Sequence, residues 1–424
     1  LMHHNVIWNV QGGIMIKGFE HNLFNNTAFD NGDKNDIIVM IDQGGNEGTI
    51  TRNNAANKIA GHRSGTYQDY PVPGVYDHNW NGYETNEDIK NLLMDPENYD
   101  FRPLPGSELV DTGIIVDAIT DGFIGDAPDQ GAYEYGGERW VPGISWDISE
   151  VFGDEFSEPE HLYNGSLFHV SINGSNNNEG SIDSPFSSIQ FAYDRADERD
   201  TILVHPGVYY DDIWFYGKNV VLGSLYLTTG DTSFISSTII DGDSTDCTIA
   251  IYGNIDSTCR ITGFTIQNGI GCVYGQGAGV YVESASPRLD NLIIKNNISG
   301  TNGGGICLNG NSNSLIDKVL IKNNSADVGG GIYSFNSNPI ITNSVIQNNH
   351  ANNGAGVFLE LCSPNFENVS ITGNNAISLG GGMYCGLTSC PVLNHVTISN
   401  NSASSGGGIS SIQNSQPMFS NSIL

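Results

Sequence analysis

Residues 329–353 read GGGIYSFNSNPIITNSVIQNNHANN, and this stretch decides the fold. Its apolar residues come in short pieces, Ile332-Tyr333, Ile340-Ile341 and Ser344-Val345-Ile346, separated by Asn, Ser and Pro. The pieces are too short and too interrupted for a helix of normal length. Val and Ile predominate among the apolar residues, which favours strands. The same sentence recurs outward in both directions, starting at Gly277, Gly303, Gly329, Gly354 and Gly380, with a shortened copy at Gly406. Each copy holds Gly-x-Gly, an apolar residue, a variable patch often ending in Pro, an apolar run and an Asn doublet. The doublets are Asn296-Asn297, Asn323-Asn324, Asn348-Asn349, Asn374-Asn375 and Asn400-Asn401. A fixed period of this length marks a stacked-repeat protein. Three brief strands per repeat, with tight corners, describe a coil that lays each strand on its equivalent one repeat earlier. Parallel strands stack about 4.8 Å apart, and the expected fold is an all-β solenoid, a parallel β-helix.

Other repeat folds fail on residue chemistry. A leucine-rich repeat needs an L-x-x-L-x-L signature, which is absent. A calcium-binding β-roll needs an Asp after its glycines, whereas 303–305 and 329–331 run straight into Ile306 and Ile332. Helical repeats are excluded by the density of Gly and Asn. The Asn doublets read either as a functional row of amides or as a structural ladder. The ladder is favoured, because Asn tolerates left-handed backbone at corners and stacked amides bond to one another. The glycines mark positions of positive φ or close backbone approach.

Of the 424 residues, 53 are Gly, and the formal net charge is −31. That charge argues against nucleic acid, whose binding needs Lys and Arg on the phosphates, and against anionic membrane surfaces. It also repels an acidic polysaccharide unless divalent cations bridge the two. Seven cysteines do not make a disulfide framework. Cys307 and Cys385 read as small buried hydrophobes; Cys247 and Cys259 read as neighbours on adjacent strands. No C-x-x-C pair exists, which argues against zinc. No apolar run reaches transmembrane length.

Residues 1 to about 60 carry a looser version of the coil, with HHNVIWN at 3–9, HNLFNNTAF at 21–29 and TRNNAANKI at 51–59. DFRPLPGSELVDTG at 100–113 and PDQGAYEYGGERWVPG at 128–143 then resemble the closing segment of secreted proteins of the pectin-lyase-like superfamily. FHVSINGSNNNEGSIDSPFSSIQFAYDRA at 168–196 resembles the usual N-terminal opening of that superfamily. The resemblance implies a right-handed β-helix and marks fold rather than activity. The expected organisation is the end of a first β-helix over 1–145, an acidic linker over 146–166, and a second β-helix over 167–424. The second has an N-terminal cap over 168–196 and coils over 200–424, so the chain holds two tandem units with one short capping helix. Ser184 reads as that helix's N-cap and Pro185 as its first residue. Both ends read as cut from a longer polypeptide.

Polysaccharide lyases of this superfamily are known for Arg or Lys bases, with calcium held by Asp and Glu. The resemblance therefore directs attention to the first unit. His3, His4, His21, His62 and His78 lie there among Lys17, Arg52 and Arg63, with Trp80 able to stack on a sugar. His4, His21 and Arg52 are the candidate catalytic residues if they stand on successive coils. The alternative reading places the His-Asn pairs in the corner ladder. Two acid clusters, Asp30, Asp33 and Asp36, and Asp241, Asp243 and Asp246, have turn spacing suited to calcium; solvated turns are the other reading. The repeats after 275 resemble those of polymorphic outer-membrane and other bacterial surface β-helix proteins, which implies an extracellular or cell-surface rod. The functional expectation is an adhesive, glycan-binding or structural rod. The alternative is a polysaccharide lyase or glycoside hydrolase whose catalytic coils lie mostly upstream.

Overall fold

The repeat at 329–353 closes one coil because its strands pair with their equivalents in the next repeat and not with each other. A computed structural model of the chain describes residues 1–8, 13–17, 20–32, 34–40, 48–137 and 165–423. In it, Ile332 sits against Val357, Ile340 against Asn365, Val345 against Ser370 and His350 against Asn375, all in parallel. The coil therefore has four short strands, Ile332–Phe335, Ile340–Thr342, Val345–Gln347 and His350–Asn353, where the sequence reads as three. The fourth escapes pattern reading because its letters are polar except for Ala351. That alanine packs inward on Ala355 and Ala376. Ile332, Ser334, Ile341 and Ile346 point into the coil and are fully buried.

The Asn doublets form one column, as expected. Nδ2 of Asn297 donates to Oδ1 of Asn324 (3.0 Å), Asn324 to Asn349 (3.1 Å), Asn349 to Asn374 (3.0 Å) and Asn374 to Asn401 (3.0 Å). Each Oδ1 also accepts the backbone N–H of the Asn one coil earlier. The second hydrogen of each amide goes to an interior carbonyl, as from Asn349 to Ile321 at 3.1 Å. The residue before each ladder Asn turns the corner in left-handed conformation: Asn296, Asn323, Asn348 and Asn400 have φ between 54° and 58°. In the fourth copy Gly373 takes that corner, so the ladder residue there is the first of its doublet, Asn374. The second glycine of each Gly-x-Gly is required by close approach. A Cβ on Gly331 would lie 2.5 Å from the carbonyl oxygen of Gly356 on the next coil.

The residues divide into two compact units. One comprises Ile144–Val392 and Asn400–Pro417, the other Leu1–Gly143, Leu393–Ser399 and Met418–Leu424. The acidic stretch 146–164 and Asp33 lie outside the described residues.

The first of these units opens with the strand Leu167–Val170 and a helix, Ile189–Arg195. The helix starts four residues later than the Ser-Pro reading, because Phe186 forms a parallel bridge to Val170 and keeps the chain extended through it. Ser188 is the N-cap, its Oγ accepting from Phe191 N–H at 3.2 Å, and the Asp211 carboxylate accepts from Ile189 N–H at 2.7 Å. Ile189, Ala192 and Tyr193 are its buried residues. Short helices at Tyr226–Thr229 and Ser233–Ser237 follow.

The other unit carries its own ladder. Asn5, Asn26, Asn54 and Asn79 bond in sequence at 2.8, 2.8 and 2.9 Å. Residues 100–113 and 128–137 fold over Val6, Phe29 and Ala55 with Phe101, Leu109 and Ala132. Their acids serve the backbone: Asp129 accepts Asp111 N–H at 2.7 Å, and Asp111 accepts Asp126 N–H at 2.7 Å.

Candidate ligand face and thiol cluster

The coil register places the candidate residues His4, His21 and Arg52 at different positions. His3 sits opposite Phe24, Phe24 opposite Arg52 and Arg52 opposite Asp77, so Arg52 stands on the outward end of its strand. Its guanidinium grips both oxygens of Asp77, through Nε and through Nη2 at 2.8 Å. That partner holds the Asp77 carboxyl below its usual range and raises Arg52. His4 occupies the next residue, the left-handed corner (φ 52°), where neighbouring coils carry Asn25 (48°), Asn53 (56°) and His78 (51°). Its Nδ1 lies 3.0 Å from Nδ1 of His3. Burial first, then His3, pushes the His4 imidazole down to about 4.

His21 lies at the other end of the strand, its Nε2 3.0 Å from the Lys17 carbonyl and its backbone N–H 3.3 Å from Thr49 Oγ1. Three strand positions separate it from the Arg52 column, roughly 10 Å at the rise of a β-strand. His62 stacks on Tyr70, and Arg63 Nε points at the Met15 sulfur, 3.2 Å away. Trp80 corrects the reading from sequence. It is buried among Ile89, Leu92, Leu93 and Phe101, with Nε1 donating to Glu108 at 3.2 Å, and presents no face to a sugar.

The calcium-spaced acids also separate. Asp241 accepts from Gln267 and Asn268 (2.8 Å each), while Asp246 accepts from the N–H of Cys247 at 2.8 Å. Asp36 is buried beside Asn31, and burial raises its carboxyl to about 7.

Two features were missed in the sequence. The first is an outward aromatic row on the sheet that holds Ile213–Tyr216, Ile249–Tyr252 and Val280–Glu283. Trp214, Tyr216 and Tyr252 have nearly parallel rings, with interplanar angles of 8° to 13° and centroids 5.4 to 6.2 Å apart. Tyr216 is 58% exposed. Glu283 continues the column of Tyr216 and Tyr252 and accepts from Tyr281 Oη at 3.1 Å. Farther along the same sheet, Tyr333, Phe358 and Tyr384 stack at 5.5 and 4.4 Å and are buried. Parallel register explains the Tyr216–Tyr252 pair and the whole second set, and Trp214 joins the first from two residues along the same strand as Tyr216. The alternation in Ile213–Tyr216, IWFY, was the available signal.

The second feature is a thiol cluster. Cys247 approaches Cys272 and not Cys259, which is buried elsewhere under Val220 and Asp256. Asp246, Cys247 and Cys272 bring one carboxylate oxygen and two sulfurs within 4.8 Å of one another. Asp212 adjoins them, its carboxyl raised by burial and by Asp246. Contact with Cys272 and burial push the Cys247 thiol upward. Burial, then the two thiols, raises the Tyr252 phenol. Cys307 and Cys385 are buried as expected but at different positions. Cys307 shares the outward column of Tyr281 and Tyr333, and Cys385 the inward column of Leu359.

Residues 223–402 match the family model described as "Right handed beta helix region". The fold is a right-handed parallel β-helix. Among solved structures, the β-helix is similar to a pectin methylesterase in complex with hexasaccharide VII, at 12% identity and TM-score 0.36, covering 59% of this chain and 81% of that one. It is similar to the pectate lyase Pel9A at 12% identity and TM-score 0.34, covering 61% and 78%. A GH136 lacto-N-biosidase from Eubacterium ramulus gives 12% identity and TM-score 0.30, covering 61% and 66%. No curated protein matches the chain. Among the described residues, no helix is long and apolar enough to cross a membrane.

Proposed function

We propose that the protein is a secreted or cell-surface β-helix rod that binds a neutral glycan. The carrying observation is the near-parallel trio of Trp214, Tyr216 and Tyr252 on an outward sheet face, with Glu283 in the same register. The apolar C–H face of a sugar ring stacks on aromatic rings, and carboxylates accept its hydroxyls. The trio and Glu283 lie on three successive coils of one rigid sheet face, which suits an extended polymer better than a small molecule. The net charge of −31 directs the choice to a neutral glycan, because a polyuronate would be repelled.

Binding is favoured over cleavage by the state of the candidate bases. Arg52 is committed to Asp77, His4 faces His3 at a corner, and His21 lies in another register. General acid–base catalysis needs its groups within reach of one substrate atom. The test is a binding isotherm of the full chain against neutral polysaccharides and against polygalacturonate. Saturable binding of a neutral polymer that is lost in Trp214→Ala supports the proposal. Binding of the polyuronate alone, or release of reducing ends from any of the polymers, sinks it.

A further inference from the structure

The cluster of Asp246, Cys247 and Cys272 belongs to no ladder and stands in one of the longer coils that precede the regular repeats. The register sets Ile249 against Val280, thirty-one residues on, and Val280 against Ile306, twenty-six on. The longer coil accommodates a tight turn at 271–276, in which Cys272 N–H donates to Gln276 O at 2.9 Å and Gly275 N–H to Cys272 O at 3.2 Å. Ile270 N–H donates to Asp246 O at 3.0 Å and ties this turn to the residue before Cys247. The irregularity thus brings a sulfur from one coil onto a sulfur and a carboxylate from the previous one.

We propose that this cluster is a site for a thiophilic divalent cation, with Zn²⁺ as the ion its donors fit. Two thiolates and one carboxylate are the donors that borderline-soft ions select, whereas calcium requires oxygen alone. In a tetrahedral site with Zn–S of about 2.3 Å, two sulfurs lie about 3.8 Å apart. The three ligand atoms already fall within 4.8 Å of one another, so the ion needs to draw them in by about an ångström at most. Asp246 is held by the N–H of Cys247 through one oxygen, which orients the other. Cys247 is buried, while Asp246 and Cys272 are partly exposed, so the ion enters from the solvent side. Binding replaces the two thiol protons, which pass to solvent, and leaves the fourth position to water or to Asp212. No electron transfer is involved. The site would clamp the irregular turn to the coil below it, next to Tyr252.

The experiment is titration of the chain of residues 1–424, reduced and freed of reductant, with Co²⁺ alone and then Zn²⁺. The expected result is one equivalent of Co²⁺ with a thiolate-to-cobalt charge-transfer band and the intense visible bands of a tetrahedral ion, displaced by Zn²⁺. Cys247→Ser and Cys272→Ser should abolish the charge-transfer band, and Asp246→Asn should weaken binding at least about tenfold. Cys390→Ser, at a thiol outside the cluster, should bind as wild type. Circular dichroism of each variant separates loss of ligands from loss of fold. Absence of the band in reduced wild type overturns the proposal. So does a band that persists in folded Cys247→Ser, or a Cys247–Cys272 disulfide that resists reduction under native conditions.

Discussion

Nδ2 of Asn324 lies 3.1 Å from Oδ1 of Asn349, one coil along, and the pair is fully buried. The same Oδ1 accepts the Asn324 backbone N–H at 3.0 Å. Asn349 therefore satisfies two donors of the coil below, while its own amide satisfies the Ile321 carbonyl and Asn374. Replacing it leaves several buried polar groups unpaired, each costing about 1–3 kcal/mol. Asn349→Ala should destabilise the β-helix by about 2–4 kcal/mol, read by urea denaturation, whereas exposed Asn352→Ala should change little. Equal effects at the two positions would contradict the ladder.

The left-handed corner of the other unit offers a sharper distinction. His4 has φ of 52° where its neighbours in register have Asn25 and Asn53, and Asn adopts this conformation more readily than His. Burial and His3 lower the His4 pKa to about 4 in the folded state, against the ordinary 6.5 of a free imidazole. Protonation thus favours the unfolded chain, and stability is lost as pH falls from about 6.5 towards 4. His4→Asn should fold at least as well as wild type at pH 7 and lose part of that acid sensitivity, measured by thermal unfolding at pH 5 and 7. A variant markedly less stable at pH 7 would show that the ring itself is needed.

How much of this was legible in the sequence follows from register. Period, strand character, Asn ladder and glycine corners were all readable, because each is a residue type required by local backbone geometry at a repeated position. The fourth strand, with only Ala351 to mark its inward side, was not. The helix cap shifted from Ser184 to Ser188 because Phe186 finds a strand partner in Val170, a contact with no local signal. Trp80 was read as a sugar platform and is core, since Ile89, Leu92 and Leu93 from the chain just after it and Phe101 from the closing segment cover it. Cys247 and Cys272 meet only because one coil is longer than those that follow.

Asp36 predicts a pH dependence of the opposite sense. Its carboxyl is buried, and burial raises its pKa from 3.8 to about 7. Ionisation therefore favours the unfolded state, so stability present below about pH 4 is lost as pH rises to about 7. A shift of about three units corresponds to at most about 4 kcal/mol. Asp36→Asn should raise the unfolding midpoint at pH 8 and flatten the profile between pH 4 and 7. Some slope should remain, because Glu134 is also raised to about 7. An unchanged profile would remove Asp36 from the account.

The central claim rests on the outward rings, and affinity electrophoresis through gels holding a neutral polysaccharide tests it most directly. Wild type should be retarded in at least one neutral glycan, and the retardation should survive 0.5 M salt because ring stacking is not an ionic contact. Trp214→Ala and Tyr216→Ala should each restore free mobility without a change in circular dichroism. Wild-type mobility unaffected by every neutral polymer, or retardation that persists in the Trp214→Ala/Tyr216→Ala double variant, would contradict it.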